Sequence, residues 1–236
     1  MKILAVDSSA VSASAAIVED GKVLGEFYLN TSLTHSQTLM PMVENVLECT
    51  RIPLSDIDLF AVSSGPGSFT GIRIGVASVK GLAMAQKKPC VGVSTLEAMA
   101  YNAAHLDGII AGAMDARRAQ VYNALFRAKN GILERLTEDR AIAIDALAEE
   151  CQIYGKTVYL VGDGAKLCYN STGFRESNAV LLPEPLIYQR ACNVAKAAER
   201  LAEQGKTVTA AQLAPVYLRP AQAERELKKR QKGESL

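Results

Sequence analysis

The chain has 236 residues, enough for one large domain or two small ones. It is 49% hydrophobic and 22% charged, the balance of a globular chain with a sizeable core. A net charge of +1 gives no global field that would recruit nucleic acid or an anionic membrane, and five scattered cysteines without a CxxC pair argue against a disulfide framework or a zinc cluster.

The opening MKILAVDSSA is too short an apolar run for a signal peptide, and no apolar span of about 18 residues follows, so a reducing cytoplasm without membrane contact is expected. Ile3 to Val6 reads as a strand buried on both faces. Val11 to Val18 alternates small and apolar residues, and Asp20-Gly21 turns it into a third strand, Lys22 to Leu29. Thr34 and Gln37 have capping-box spacing. Behind them Leu39, Met42, Val43, Val46 and Leu47 form one helical stripe, with Pro41 expected to kink the helix. Ile57 to Val62 is the next strand.

That strand runs into SSGPGSFTGIRIGVASVKGLAMA, from Ser63 to Ala85, the most unusual stretch of the chain. Gly65 and Gly67 flank Pro66, and Ser68 or Thr70 can cap the helix that follows. On a helical wheel Gly71, Gly75, Ser78, Gly81 and Ala85 share an arc of about 120°. Ile72, Val76 and Val79 lie on another side. Interior glycine costs about 1 kcal/mol each against alanine, so the small arc needs a closely approaching backbone, either from the same chain or from another subunit. As a phosphate loop the stretch lacks the lysine of a Walker motif and the spacing of a dinucleotide fingerprint.

Cys90 to Val93 is a short strand, and the capping pair Ser94/Glu97 starts a helix to about His105. Gly108 to Met114, Gln120 to Arg127 and Ile132 to Leu136 repeat the opening plan, with Asn130-Gly131 in place of Asp20-Gly21 and Asp115 in place of Asp7. A short helix at Asp145 to Gln152, a strand at Thr157 to Val161 ending in Gly162-Asp163-Gly164, and a helix at Gln189 to Gln204 complete the pattern. From Ala221 the tail is charged and has no core stripe. Duplicated strand-strand-strand-helix units predict an α/β chain of two lobes around a cleft, the actin/sugar-kinase/Hsp70 (ASKHA) plan. The expected division is 1–106 and 107–236, with the last segment returning to the first lobe.

Four blocks in order, MKILAVDSSA, THSQTLMPMVENVL, SSGPGSFTGIRIGVASVKGLA and PVYLR, resemble the TsaB (YeaZ) family. AMDARRAQVY and the VGDGA turn add to the likeness. The resemblance implies a non-catalytic partner of the enzyme TsaD. With the ATPase TsaE, TsaD installs N6-threonylcarbamoyl on the adenosine beside the anticodon of tRNAs reading codons that begin with A. It implies a homodimer when alone, exchanged for TsaD, and contact with tRNA only through the complex. It also implies no cofactor of its own, ATP and metal being carried by the partner subunits.

TsaD holds its metal on two histidines spaced i, i+4. The matching positions here are Thr95 and Met99, and the chain's only histidines are His35 and His105. No catalytic or metal-ligating residue is therefore assigned. His35 reads as a helix-start or surface residue. Asp7, Ser8 and Asp115 mark a candidate vestigial nucleotide site. Their plainer reading, preferred without the rest of a site, is of turn-capping residues. The two family helices imply an interface to which Leu39, Met42, Val43, Val46, Ile72, Gly75, Val76 and Val79 contribute, some of them facing the sheet instead. Gly75→Glu is then expected to block partner binding and leave the monomer folded. Arg219, Arg225, Lys228, Lys229 and Arg230 are a solvated run or a phosphate contact. The rival readings are a sugar-kinase-like phosphotransferase, a metallopeptidase, and a purely structural homodimer.

Overall fold

The structure is a computed structural model and describes residues 1–31 and 33–219. Two sheets share one strand plan. The first has the order β3-β2-β1-β4-β5, built from β1 (Lys2–Asp7), β2 (Ala13–Glu19), β3 (Lys22–Leu29), β4 (Leu59–Gly65) and β5 (Cys90–Ser94). The second has the order β8-β7-β6-β10-β11, from β6 (Gly108–Asp115), β7 (Gln120–Lys129), β8 (Ile132–Arg135), β10 (Val158–Val161) and β11 (Ala179–Leu181). A strand β9 (Arg140–Ala143) pairs with β7 off the main path. In each sheet the first three strands are antiparallel and the last two run parallel to the first. This duplication is the actin-like ASKHA plan that the repeat of Ile3–Leu29 in Ile109–Leu136 predicts. The sequence pattern missed β9 and β11. Both are short, three or four residues, and lack alternation long enough to register.

Strand β1 explains why its residues read as a continuous apolar run. Leu4 and Val6 point to one side, into a core with Leu39, Met42, Val43 and Val46 of α1 (His35–Thr50) and Ile72, Val76 and Val79 of α2 (Phe69–Gln86). Ile3 and Ala5 point to the other side, against Val194, Ala195 and Ala198 of α7 (Ala191–Glu203). A parallel strand covered on both faces has no polar side to show. Thus α7, although late in the chain, lies on the first sheet. Glu26 of β3 holds it there, accepting hydrogen bonds from Arg190 Nε at 3.1 Å and the Cys192 amide at 3.1 Å. Helix α3 (Thr95–Ala100) sits between the lobes, with Leu96 and Met99 in the core of the second sheet. Helices α4 (Ile144–Ile153), α5 (Ala165–Asn170) and α6 (Thr172–Arg175) cover that sheet's far face through Leu147, Ala148, Cys168 and Phe174.

Local expectations fare unevenly. Ser68 does cap α2, accepting from the Gly71 amide at 3.2 Å, and Ser94 caps α3. Thr34 precedes α1 without a side-chain capping bond. His35 Nε2 instead sits 2.6 Å from the carbonyl oxygen of Ala10. Pro41 lies inside a helix that continues to Thr50. The helix after Ser94 ends at Ala100, and His105 is exposed in the turn beyond it. No helix among the described residues is long and apolar enough to cross a membrane.

Candidate functional site

Three features meet where the glycine turn enters α2: a buried carboxylate, a loop closed by the chain's own backbone, and the cleft between the lobes. Asp7 ends β1 and is fully buried. Its Oδ1 accepts from the Ser9 amide at 2.9 Å and the Ser9 hydroxyl at 2.8 Å, and its Oδ2 accepts from the Ser63 hydroxyl. Burial pushes the Asp7 carboxyl above its ordinary value, against the lowering pull of those hydrogen bonds. Ser8 Oγ donates to the Gly71 carbonyl at 2.9 Å. Asp7 and Ser8 thus lie beneath the loop and face no cavity.

The loop itself is closed from both sides. The Ser68 amide donates to the Ser9 carbonyl at 2.6 Å, and the Val216 amide donates to the Ser64 carbonyl at 2.8 Å. Gly65 has φ +138°, and a Cβ there would lie 2.1 Å from the Val216 oxygen, so only glycine fits. Of the backbone donors at this turn, the Ser68 amide is thereby engaged inside the chain, as is the Gly71 amide by the Ser68 hydroxyl.

Asp115 ends β6, at the place that Asp7 holds in the first lobe, but its surroundings differ. It lines a cleft of about 720 Å³ between the lobes, with Asp163, Tyr122, Tyr188, Tyr217 and Arg219 among its walls. Asp115 accepts from the Arg117 amide at 2.7 Å and pairs with the Arg117 guanidinium at 3.2 Å. Asp163 is raised to about 6, first by burial and then by the charge of Asp115; its Oδ1 has no hydrogen-bond partner among the described residues. The candidate nucleotide set is therefore divided: Asp115 reaches the cleft, while Asp7 and Ser8 do not.

The interface residues need a correction. Leu39, Met42, Val43, Val46, Ile72, Val76 and Val79 are buried in the core on the first sheet, and Gly75 is buried with them. A Cβ at Gly75 would meet Ser8 Oγ at 2.7 Å and Val62 at 3.1 Å. At Gly71 it would lie 2.0 Å from the Ser8 carbonyl oxygen. The closely approaching backbone is the chain's own, and Gly75→Glu would break the monomer rather than spare it. The small-residue arc straddles two environments. Its Gly71 and Gly75 end packs on Ser8, and at its Gly81 end a Cβ would meet nothing within 4 Å.

What α2 leaves outside is Thr70, Arg73, Ala77, Gly81, Met84 and Ala85, with Met84 62% exposed. From Ala77 to Ala85 the one charge, Lys80, leans aside to the Ala211 carbonyl at 3.4 Å. The sequence held this signal: once the Ile72/Val76/Val79 stripe goes to the sheet, the opposite side of the wheel must be Arg73, Ala77, Gly81 and Met84. Thr95 and Met99 are fully buried, and no group of three or more metal-binding side chains occurs among the described residues. Of the basic tail only Arg219 is described, donating to the Ala116 carbonyl at 3.1 Å; Arg225, Lys228, Lys229 and Arg230 lie outside the described residues.

Comparison with known proteins gives a consistent result. Residues 25–227 match the family model for TsaD, tRNA N6-adenosine threonylcarbamoyltransferase. The chain is 34% identical over 235 residues to the Bacillus subtilis tRNA threonylcarbamoyladenosine biosynthesis protein TsaB, covering 95% of this chain and 96% of that one. It is 35% identical over 222 residues to the Escherichia coli protein of the same name, covering 93% and 95%. The solved structure of YeaZ from Pseudomonas aeruginosa superposes with a TM-score of 0.80 at 28% identity, covering 92% of this chain and 99% of that one.

Proposed function

Because this chain belongs to the TsaB (YeaZ) family, whose named members serve tRNA threonylcarbamoyladenosine biosynthesis, we propose that it is the non-catalytic scaffold of that pathway. It binds a TsaD-type enzyme and, with it, a TsaE-type ATPase, and it forms a homodimer when the enzyme is absent. ATP and metal belong to those partners, and tRNA is met only through the complex. The observation that carries this reading is the closed state of the glycine loop. Asp7 is occupied by Ser9 and Ser63, the Ser68 amide is bonded to the Ser9 carbonyl and the Ser64 carbonyl to the Val216 amide, so the buried carboxylate is turned inward and the loop is held by the chain's own backbone.

The docking surface we assign is the outer side of α2. Ala77, Gly81 and Met84 offer a low, uncharged ridge on which another helix can lie closely. A protein that keeps such a ridge bare gains by covering it, through burial of apolar area on both partners. Reconstitution tests the proposal: this chain, cognate TsaD, TsaE and tRNA are combined, each protein is omitted in turn, and modified adenosine is measured. Modification should need this chain, and Ala77→Arg or Gly81→Glu should abolish TsaD binding while leaving the melting temperature of the monomer intact. Normal TsaD binding by both variants would sink the assigned surface, and metal-dependent ATP turnover by the isolated chain would sink the non-catalytic role.

A further inference from the structure

The segment from Val208 to Arg219 has no helix and no long strand, yet it touches both lobes. Its first half is rooted. Val208 and Cys90 exchange both backbone hydrogen bonds, at 2.8 and 2.9 Å, on the edge of β5. Ala210 and Leu213 are buried in the core under α1 and α2. Its second half is an arm laid across the surface. The Val216 amide is bonded to Ser64. Tyr217 stacks on Phe69 with ring centroids 4.6 Å apart, and its hydroxyl accepts from Arg73 Nε at 2.8 Å. Arg73 also stands 3.8 Å over the Phe69 ring. The arm then leaves the first lobe. Arg219 donates to the Ala116 carbonyl and to the Gln120 side chain, and its guanidinium lies over Tyr122 of β7.

The loop that Arg219 grips is unusual. Arg117, Arg118 and Ala119 have φ values of +66°, +57° and +54°, three successive left-handed residues without a glycine. Such conformations are disfavoured for residues with a Cβ and persist only where the surroundings impose them. Arg219 engages residues at both ends of this turn, Ala116 and Gln120. The arm's own footing is light: Val216 is 50% exposed and Tyr217 40%. Between the arm and the turn lies the cleft that contains Asp115 and Asp163.

We propose that residues Val216 to Arg219 form a clamp that ties the two lobes together across the cleft, and that releasing this arm opens the cleft while the fold stays intact. The rooted half, Val208 to Leu213, keeps the arm tethered, so release is reversible. The Phe69–Tyr217–Arg73 stack is the fastening on the first lobe. The Arg219 fork is the fastening on the second.

Asp163 reports on this directly, because its carboxyl is raised to about 6 chiefly by burial. The experiment follows the Asp163 side-chain carboxyl by NMR titration in the full chain, in Arg219→Ala and in Tyr217→Ala. Each variant is first checked for a cooperative melt and an unchanged far-ultraviolet spectrum. Hydration of an opened cleft lowers the titration midpoint from about 6 toward the ordinary carboxylate range. Removing the positive charge of Arg219 without opening acts in the reverse direction, and Tyr217→Ala alters no charge near neutral pH. Faster amide exchange at Ala116 to Gln120 should accompany the change. A lowered midpoint in each folded variant supports the clamp. A midpoint that stays near 6 or climbs in either folded variant overturns it.

Discussion

Asp163→Asn isolates the electrostatic cost of the cleft. Asn keeps the size of the side chain and removes its charge. The carboxyl is raised from an ordinary 3.8 to about 6, so the folded chain holds this proton more tightly than the unfolded chain does. The contribution to stability is complete below the unfolded value and is lost as pH rises through the folded one. At about 1.4 kcal/mol for each tenfold change in proton affinity, ionising Asp163 above pH 6 costs the fold about 3 kcal/mol. Asp163→Asn should therefore be more stable than the parent by about that amount at pH 7.5. The gain should shrink as pH falls through 6 and flatten near pH 4. Urea denaturation of both proteins across this range gives the difference at each pH, in which the carboxylates remote from Asp163 cancel and its coupling to Asp115 is included. A difference that does not vary with pH, or an Asn variant less stable at pH 7.5, would show that Asp163 is neither desolvated nor opposed by Asp115.

Four further outcomes follow from packing and burial. Gly71→Ala forces a methyl against the Ser8 carbonyl, where a Cβ would sit 2.0 Å away, and should destabilise by about 1–3 kcal/mol in thermal melts. Gly81→Ala meets open space and should stabilise α2 by about 1 kcal/mol in the same assay. Glu97, with its side chain 8% exposed, holds Arg135 at 2.9 Å and also pairs with Arg200, joining α3, β8 and α7. Glu97→Ala should cost about 2 kcal/mol in urea denaturation, less than a fully buried pair because Arg200 is 39% exposed. Cys151, Cys168 and Cys192 are pushed up to about 12 by burial, and Cys90 is buried and raised. Brief iodoacetamide treatment at pH 8 should therefore give one adduct by mass spectrometry, on the exposed Cys49.

Periodicity and turn chemistry were enough to place β1 to β3, α1, α2 and the second copy of the same plan. They were also enough to expect two lobes, because those signals are local: alternation, 3.6-residue stripes and Asp-Gly or Asn-Gly turns lie within a few residues of one another. The glycine turn announced a close approach in the same way. What approaches could not be read from the wheel, since a glycine face is satisfied equally by the chain's own backbone or by another molecule. Tertiary structure decided that Gly71 and Gly75 belong to Ser8, and that Ala77, Gly81 and Met84 stay exposed. It also separated Asp7 from Asp115, equivalent by repeat, because the first is roofed by Ser9, Ser63 and α2 while the second opens on the cleft. Burial and opposition by a neighbour depend on residues brought together from Asp7 to Arg219. The sequence therefore determined which elements form, and the folded arrangement of those elements determined which of their faces and carboxylates remain available.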